Sequence, residues 1–229
     1  MALRVEKVAV LTAMPDEDLF DLDAGVHRPP GAGVGSWARG GLRPPGPVGV
    51  DEALPMQAIT RTVTAVTKDW APPTPSDKPP IEVGGKTLVQ AGQQLNALGR
   101  WGVGGGSARA EPTLPGSNPN VSVLLHGNLV LRLPVWTEYS KASSAARAEW
   151  DRMLAALRKH EYRHVKIAIE ELDNLAVNLQ GEDVTQVVKM VTQANKTMSQ
   201  RQLELDRNTD GGMKPGMPYG DISLDTSIE

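Results

Sequence analysis

The chain of 229 residues contains no cysteine. Disulfides and thiolate metal ligands are therefore excluded, and any bound metal must sit on nitrogen and oxygen donors. An excess of one charge is also lacking. There are 24 lysines and arginines against 27 aspartates and glutamates, a formal net charge of -3, so nothing suggests a nucleic-acid footprint. No apolar run approaches the roughly 20 residues that span a bilayer, and no membrane partner is expected. The apolar opening Val5 to Met14 is short and runs into Asp16, Glu17 and Asp18. It does not read as a signal peptide. The protein is expected to act in the cytoplasm, to be exported by a non-classical route, or to have lost a leader. No internal repeat is visible.

What is present is unevenly distributed. Residues 1–80 hold 12 of the 18 prolines and eight glycines. The runs Arg28-Pro29-Pro30-Gly31-Ala32-Gly33 and Arg43-Pro44-Pro45-Gly46-Pro47 cannot form helix or central strand. Residues 1–80 are read as an N-terminal arm with two short strands, Val5–Leu11 and Ile59–Thr67, and an extended linker from Pro72 to Pro80. Residues 1–58 are either a tail or an arm that orders against a partner in an assembly.

Beyond the arm the local signals sharpen. Ile81–Val83 reads as a strand, and Lys86 to Leu98 as a helix stopped by Gly99. Gly102 to Pro119 reads as a Gly/Pro/Ser loop. Alternation over Val121–Leu125 and Leu129–Leu133, around Gly127-Asn128, predicts a β-hairpin. A helix is expected over about 144–179, and Gly181 breaks it. A second helix should run from about Asp183 to about Asp206. The short turn makes the pair antiparallel. The chain from Asn208 should be irregular, with residues 217–229 a C-terminal tail.

The chemistry is concentrated in His160-Glu161-Tyr162-Arg163-His164. Two histidines four apart on a helix lie about 40° apart around the axis and one turn apart along it. Both imidazoles can reach one Zn2+ ion, and Glu161 can reach a water on it. The pattern is HExxH, the zinc-peptidase signature, which counts only in a helical setting. That setting is present. Ser144 to Asn178 has no proline or glycine, and apolar residues recur at Trp150, Met153, Leu154, Leu157, Ile167, Ala168, Leu172, Leu175 and Leu179. His160, Glu161 and His164 fall on the same stripe. An inward-facing carboxylate beside two inward-facing imidazoles is costly unless something pairs with them, and a divalent cation would do so.

Gly84-Gly85-Lys86-Thr87 opens the first helix and Leu98-Gly99 closes it. A strand ends in Leu133-Pro134-Val135-Trp136. Trp150 precedes Leu157-Arg158-Lys159-His160-Glu161 and the second His164, and Asp206-Arg207-Asn208-Thr209-Asp210-Gly211-Gly212 follows. Over residues 81–216 this order resembles a bacterial family of predicted secreted zinc-dependent proteases, catalogued as a domain of unknown function. The resemblance implies an α+β, zincin-like metallopeptidase domain at 81–216. A small antiparallel sheet would pack on the long HExxH helix and a second antiparallel helix. The chain departs from the family pattern in three ways: members usually carry an export signal, and none is visible here; a tyrosine is usual at Leu205; and at Gly211 a histidine would be the natural third zinc ligand.

A catalytic zinc takes three protein ligands plus water. The compact HExxHxxGxxH arrangement is excluded, because Ile167 stands at the turn glycine and Glu170 continues the helix. Glu171 lies about 10 Å further along the helix from His164. The helical hairpin brings residues near 196–204 beside the histidines. Asp210, next to the lost histidine, ranks first as third ligand, followed by Asp206 and Glu204. Glu182 and Asp183 lie at the spacing seen in Glu-type zinc peptidases, but they also sit in the first turn of the second helix and read first as caps. His126 is expected in a solvated turn, and Trp136 and Trp150 as core anchors. Tyr139 and Tyr162 carry hydroxyls able to donate to an oxyanion, but no spacing places them.

Two functions follow. The first is a zinc peptidase with His160 and His164 as ligands and Glu161 as general base. Its peptide or protein substrate would align along a strand edge at Leu129–Leu133. The second is a degenerate scaffold whose N-terminal arm binds neighbours in an assembly.

Overall fold

The computed structural model describes residues 60–114 and 118–228. The expectations for Val5–Leu11, His27 and the Arg-Pro runs lie outside them. The architecture is mixed α+β, with strands β1 (Thr62–Asp69), β2 (Ile81–Val83), β3 (Val103–Thr113), β4 (Asn120–Arg132) and β5 (Pro134–Trp136). The helices are α1 (Leu88–Ala97), α2 (Ser144–Leu179) and α3 (Val187–Thr209). None is long and apolar enough to cross a membrane.

The helix ends follow from local chemistry. Thr87 caps α1 by accepting from Gln90 N, and Ser143 caps α2 by accepting from Ala146 N. Gly99, at φ 68°, ends the turn after α1. Gly181, at φ 85°, reverses the chain after α2, a conformation that glycine adopts without steric cost. Asp183 caps a short 3-10 turn before α3 through Thr185 N at 2.8 Å, so it serves as a cap and not as a ligand.

The sheet corrects three expectations. It is mixed rather than antiparallel: the order is β1-β4-β3, with β1 parallel to β4 and β3 antiparallel to it. Parallel pairing follows because the chain crosses over through β2, α1 and β3 before entering β4. A second pair, β2 and β5, is also parallel.

The expected hairpin is a single strand. β4 runs straight through Gly127-Asn128, and its antiparallel partner is β3, in the stretch read as a loop. Both misreadings concern glycine. A Cβ at Gly127 would lie 2.6 Å from Leu172 Cδ1 and 2.8 Å from Trp70 Cβ. A Cβ at Gly104 would collide with the backbone oxygen of Glu161. These glycines mark close approach of another segment to a strand, not a turn.

The outer strands are each tied at one point of their free edge. Thr62 N donates to Pro119 O, while Val63 N donates to Glu182 O and Gly181 N to Val63 O, which ties β1 to the α2–α3 connection. On β3, Ala108 N donates to Asn195 Oδ1 at 2.8 Å and Ala108 O accepts from Asn195 Nδ2 at 3.0 Å. One side-chain amide of α3 thus satisfies a main-chain pair that a further strand would otherwise take. Leu129–Arg132 pair with Val103–Gly106. On the other side β1 pairs only with Asn120–His126, so β1 does not cover the expected substrate edge at Leu129–Leu133, where Leu133 O accepts from Ile81 N at 3.1 Å.

Helix α2 passes through two apolar cores. One joins Leu88, Leu95, Trp136, Trp150, Met153 and Leu157 with Ile222 and Leu224 of the tail. The other joins Val63, Val121, Val123 and Leu125 with Leu172, Leu179 and Met198. Trp136 and Trp150 are core anchors as expected, 2% exposed each with ring centroids 5.5 Å apart. The tail from 217 has no helix or strand, yet it is packed.

Candidate metal centre

His160, Glu161 and His164 are all buried on α2. Antiparallel return of the chain in α3 places Asp206 opposite the two histidines. His160 Nε2 and His164 Nε2 are 3.1 Å apart, and Asp206 Oδ1 lies 3.1 Å from the first and 3.2 Å from the second. The three atoms form a near-equilateral triangle. Zinc bonds of about 2.0–2.1 Å in tetrahedral geometry require ligand atoms roughly 3.3 Å apart. The donor set and its spacing fit one face of such a tetrahedron.

Position in the motif favours Asp210 over Asp206, and the structure reverses that order. Asp210 is the C-cap of α3 in the left-handed region, at φ 51° and ψ 49°, and it is exposed. Its carboxylate is not part of the cluster. Glu204 precedes Asp206 by two residues, about 200° around the helix, and is exposed. Helical phase therefore selects Asp206. The turn after α3 is held by Gly211 N donating to Asp206 O at 2.7 Å.

His160 has an outer partner. Its Nδ1 donates to Tyr219 O at 3.0 Å, which leaves the Nε2 lone pair facing Asp206 and His164. Metal-binding histidines commonly donate the other ring nitrogen in this way. The Tyr219 carbonyl, on the tail, was invisible to sequence reasoning. His164 Nδ1 is buried without a hydrogen-bond partner among the described residues.

Glu161 is 8% exposed. Gly102 lies against it: a Cβ at Gly102 would be 2.7 Å from Glu161 Cγ and 2.8 Å from Oε1. Glu161 also faces a small cleft, whose walls include Arg100, Trp101, Gly102, Leu157 and Met213.

An ion-pair network braces the helical hairpin below the site. Arg163 Nη1 donates to Glu170 at 2.7 Å, and Arg201 bridges Glu170 and Glu171 at 2.5 Å each. Hydrogen bonds from Arg163, and then from Arg201, hold the Glu170 carboxyl below the usual carboxylate range. Arg163 also lies over the Tyr219 ring, 5.9 Å from its centroid. It is thus half-buried and engaged rather than part of a solvated face.

The remaining expected residues lie elsewhere. Tyr139 Oη donates to Asp151, about nine residues before the motif. His126 is not in a turn: it sits within β4, and its Nδ1 is 2.6 Å from Asp69 Oδ2.

Residues 81–212 match the model of a family described as "Bacterial protein of unknown function (DUF922)". The chain belongs to this family. No curated protein and no solved structure matches the chain. The match begins at β2 and takes in the HExxH helix and Asp206, and it ends at Gly212, before Tyr219.

Proposed function

We propose that the protein is a zinc-dependent peptidase on a zincin-like scaffold. His160, His164 and Asp206 would hold the ion and Glu161 would act as general base. The observation that carries this reading is the convergence of two imidazole Nε2 atoms and a carboxylate oxygen at 3.1–3.2 Å with a buried carboxylate one residue along the same helix. The histidine pair comes from local sequence, and Asp206 from a segment more than 40 residues away. With both Nε2 atoms unprotonated, these three atoms repel one another in a largely apolar setting, and a cation among them relieves that repulsion.

Bound zinc supplies a nucleophilic water at neutral pH and polarises the scissile carbonyl. The chain's own groups do the rest. Glu161 faces the cleft and takes a proton from the attacking water, then passes it to the departing amine. Gly102 keeps room for the Glu161 carboxylate, since any larger residue would press on Cγ and Oε1. Tyr219 O fixes the His160 tautomer. The apolar core around Leu157 and Ile222 keeps bulk water from one side of the site.

The test is elemental analysis of the purified full chain, with His160→Ala beside it. About one zinc per chain, lost in the variant, is expected for a three-ligand site. No zinc after purification with added zinc would reject the reading and favour an interaction protein acting through its N-terminal arm.

A further inference from the structure

The cleft beside Glu161 is chemically two-sided. Its floor is apolar: Leu157 and Ile222 are buried, and Trp101 packs on the same core. Its rim carries Arg100, which is exposed and makes no ion pair among the described residues. Other arginines near the site are engaged, Arg152 with Glu149, Arg163 with Glu170 and Arg201 with Glu170 and Glu171. Arg100 stands in the short turn between α1 and β3, two residues before Gly102, and Gly102 touches the Glu161 carboxylate. Two residues span at most about 7 Å of chain. Arg100 and Glu161 line the same cleft.

We propose that this cleft receives the free C-terminal residue of a peptide, with its carboxylate on Arg100 and its apolar side chain against Trp101 and Leu157. The proposal deepens the peptidase reading and rests on it. A guanidinium matches a carboxylate with two parallel hydrogen bonds. The apolar floor disfavours a charge. A terminal residue presents an apolar side chain and a carboxylate from one Cα, so each finds its matching wall. An internal acidic side chain would bring its charge over the floor. Hydrolysis at this place releases one amino acid. The C–N bond breaks, the water oxygen joins the carbonyl carbon, and the proton taken by Glu161 goes to the departing amine. The products are a shortened peptide and a free apolar amino acid, and no co-reactant beyond water is needed.

The test is calorimetric binding to the full chain carrying Glu161→Gln, with and without added zinc. The probes are N-acetyl-Ala-Ala-Leu with a free carboxylate, the same peptide as its amide, and N-acetyl-Ala-Ala-Glu amide. The free acid should bind at least about tenfold tighter than its amide, as expected for one charge-assisted bidentate contact. Arg100→Ala should remove that difference, and Arg100→Lys should keep part of it. Arg100 is exposed, so circular dichroism should be unchanged. Equal affinity for acid and amide, no binding of any probe, or a difference that survives Arg100→Ala would overturn the proposal. The last outcome would put the carboxylate on the metal. Tightest binding of the Glu amide would replace a terminal carboxylate with an acidic side chain and also overturn it. Zinc content is read separately. A zinc-free protein that still prefers the free acid sinks the peptidase reading alone, and a zinc-loaded protein with no preference sinks this proposal alone.

Discussion

The two halves of α2 are buried by different means. From Ala168 to Leu179 the helix packs on β1, β4 and α3, through aliphatic residues such as Val121, Val123, Leu125 and Met198. From Ala146 to Leu157 it packs on tryptophans, on α1 and on Ile222 and Leu224 of the tail. Regular elements close the distal half, whereas irregular chain helps to close the half next to the motif. His160 and His164 stand where the two regions meet. Regular elements with many shared contacts carry stability. The irregular chain supplies single, replaceable contacts that aim side chains, such as Tyr219 O on His160. The distal half reads as a scaffold and the proximal half as the adjustable surround of the site.

The largest expected effect tests that division. Leu172 is fully buried in the distal core, and Leu172→Ala should cost about 2–5 kcal/mol of stability. Denaturant unfolding measures it. Zinc bound per folded chain should not change, and a zinc affinity that fell in proportion would break the separation.

The next effect sharpens the choice of ligand. Asp206→Ala should weaken zinc binding by more than the roughly 10–100-fold seen for outer partners of a metal. Asp210→Ala should leave it within about twofold, because its exposed carboxylate lies outside the cluster of His160, His164 and Asp206. Competition with a chelator of known affinity reads both. Equal losses would return Asp210 to the site.

The smallest effect concerns the tail. Glu149 is 7% exposed, accepts two hydrogen bonds from Arg152, and accepts Asp225 N at 2.7 Å. The Arg152 guanidinium, and then the Asp225 amide, hold its carboxyl below the ordinary 4.5. A carboxyl depressed in the folded state stabilises fully above its unfolded value and loses that contribution as pH falls through the folded value. Melting temperature measured from about pH 7 down to about pH 3 should fall, with part of the slope removed in Glu149→Gln. Hydrogen exchange at Asp225 N should rise first. An unchanged slope in the variant would show that the tail is held by Ile222 and Leu224 alone.

Much of this was legible before any fold was known. The helix at 144–179, its buried histidines and glutamate, the break at Gly181 and the cap at Asp183 depend on residues within a few positions of one another. Periodicity and capping report such residues directly. The sheet was misread because glycine has two uses. At Gly99 and Gly181 it serves a positive φ, which a sequence reader expects. At Gly104 and Gly127 it makes room for Glu161 and Leu172, and nothing adjacent in the sequence reveals that neighbour. Asp210 was ranked above Asp206 because the reading followed position in a motif rather than the phase of α3.

By itself the sequence determined that a long helix would carry two histidines and a glutamate on its buried stripe. That follows from a 3.6-residue period and needs no partner. Only the tertiary structure decided which carboxylate completes the triangle, which glycines form a strand and which carbonyl orients His160. These depend on segments far apart in the chain approaching to within about 3 Å, and they are set by how α3, β3 and the tail pack against α2, not by any local pattern.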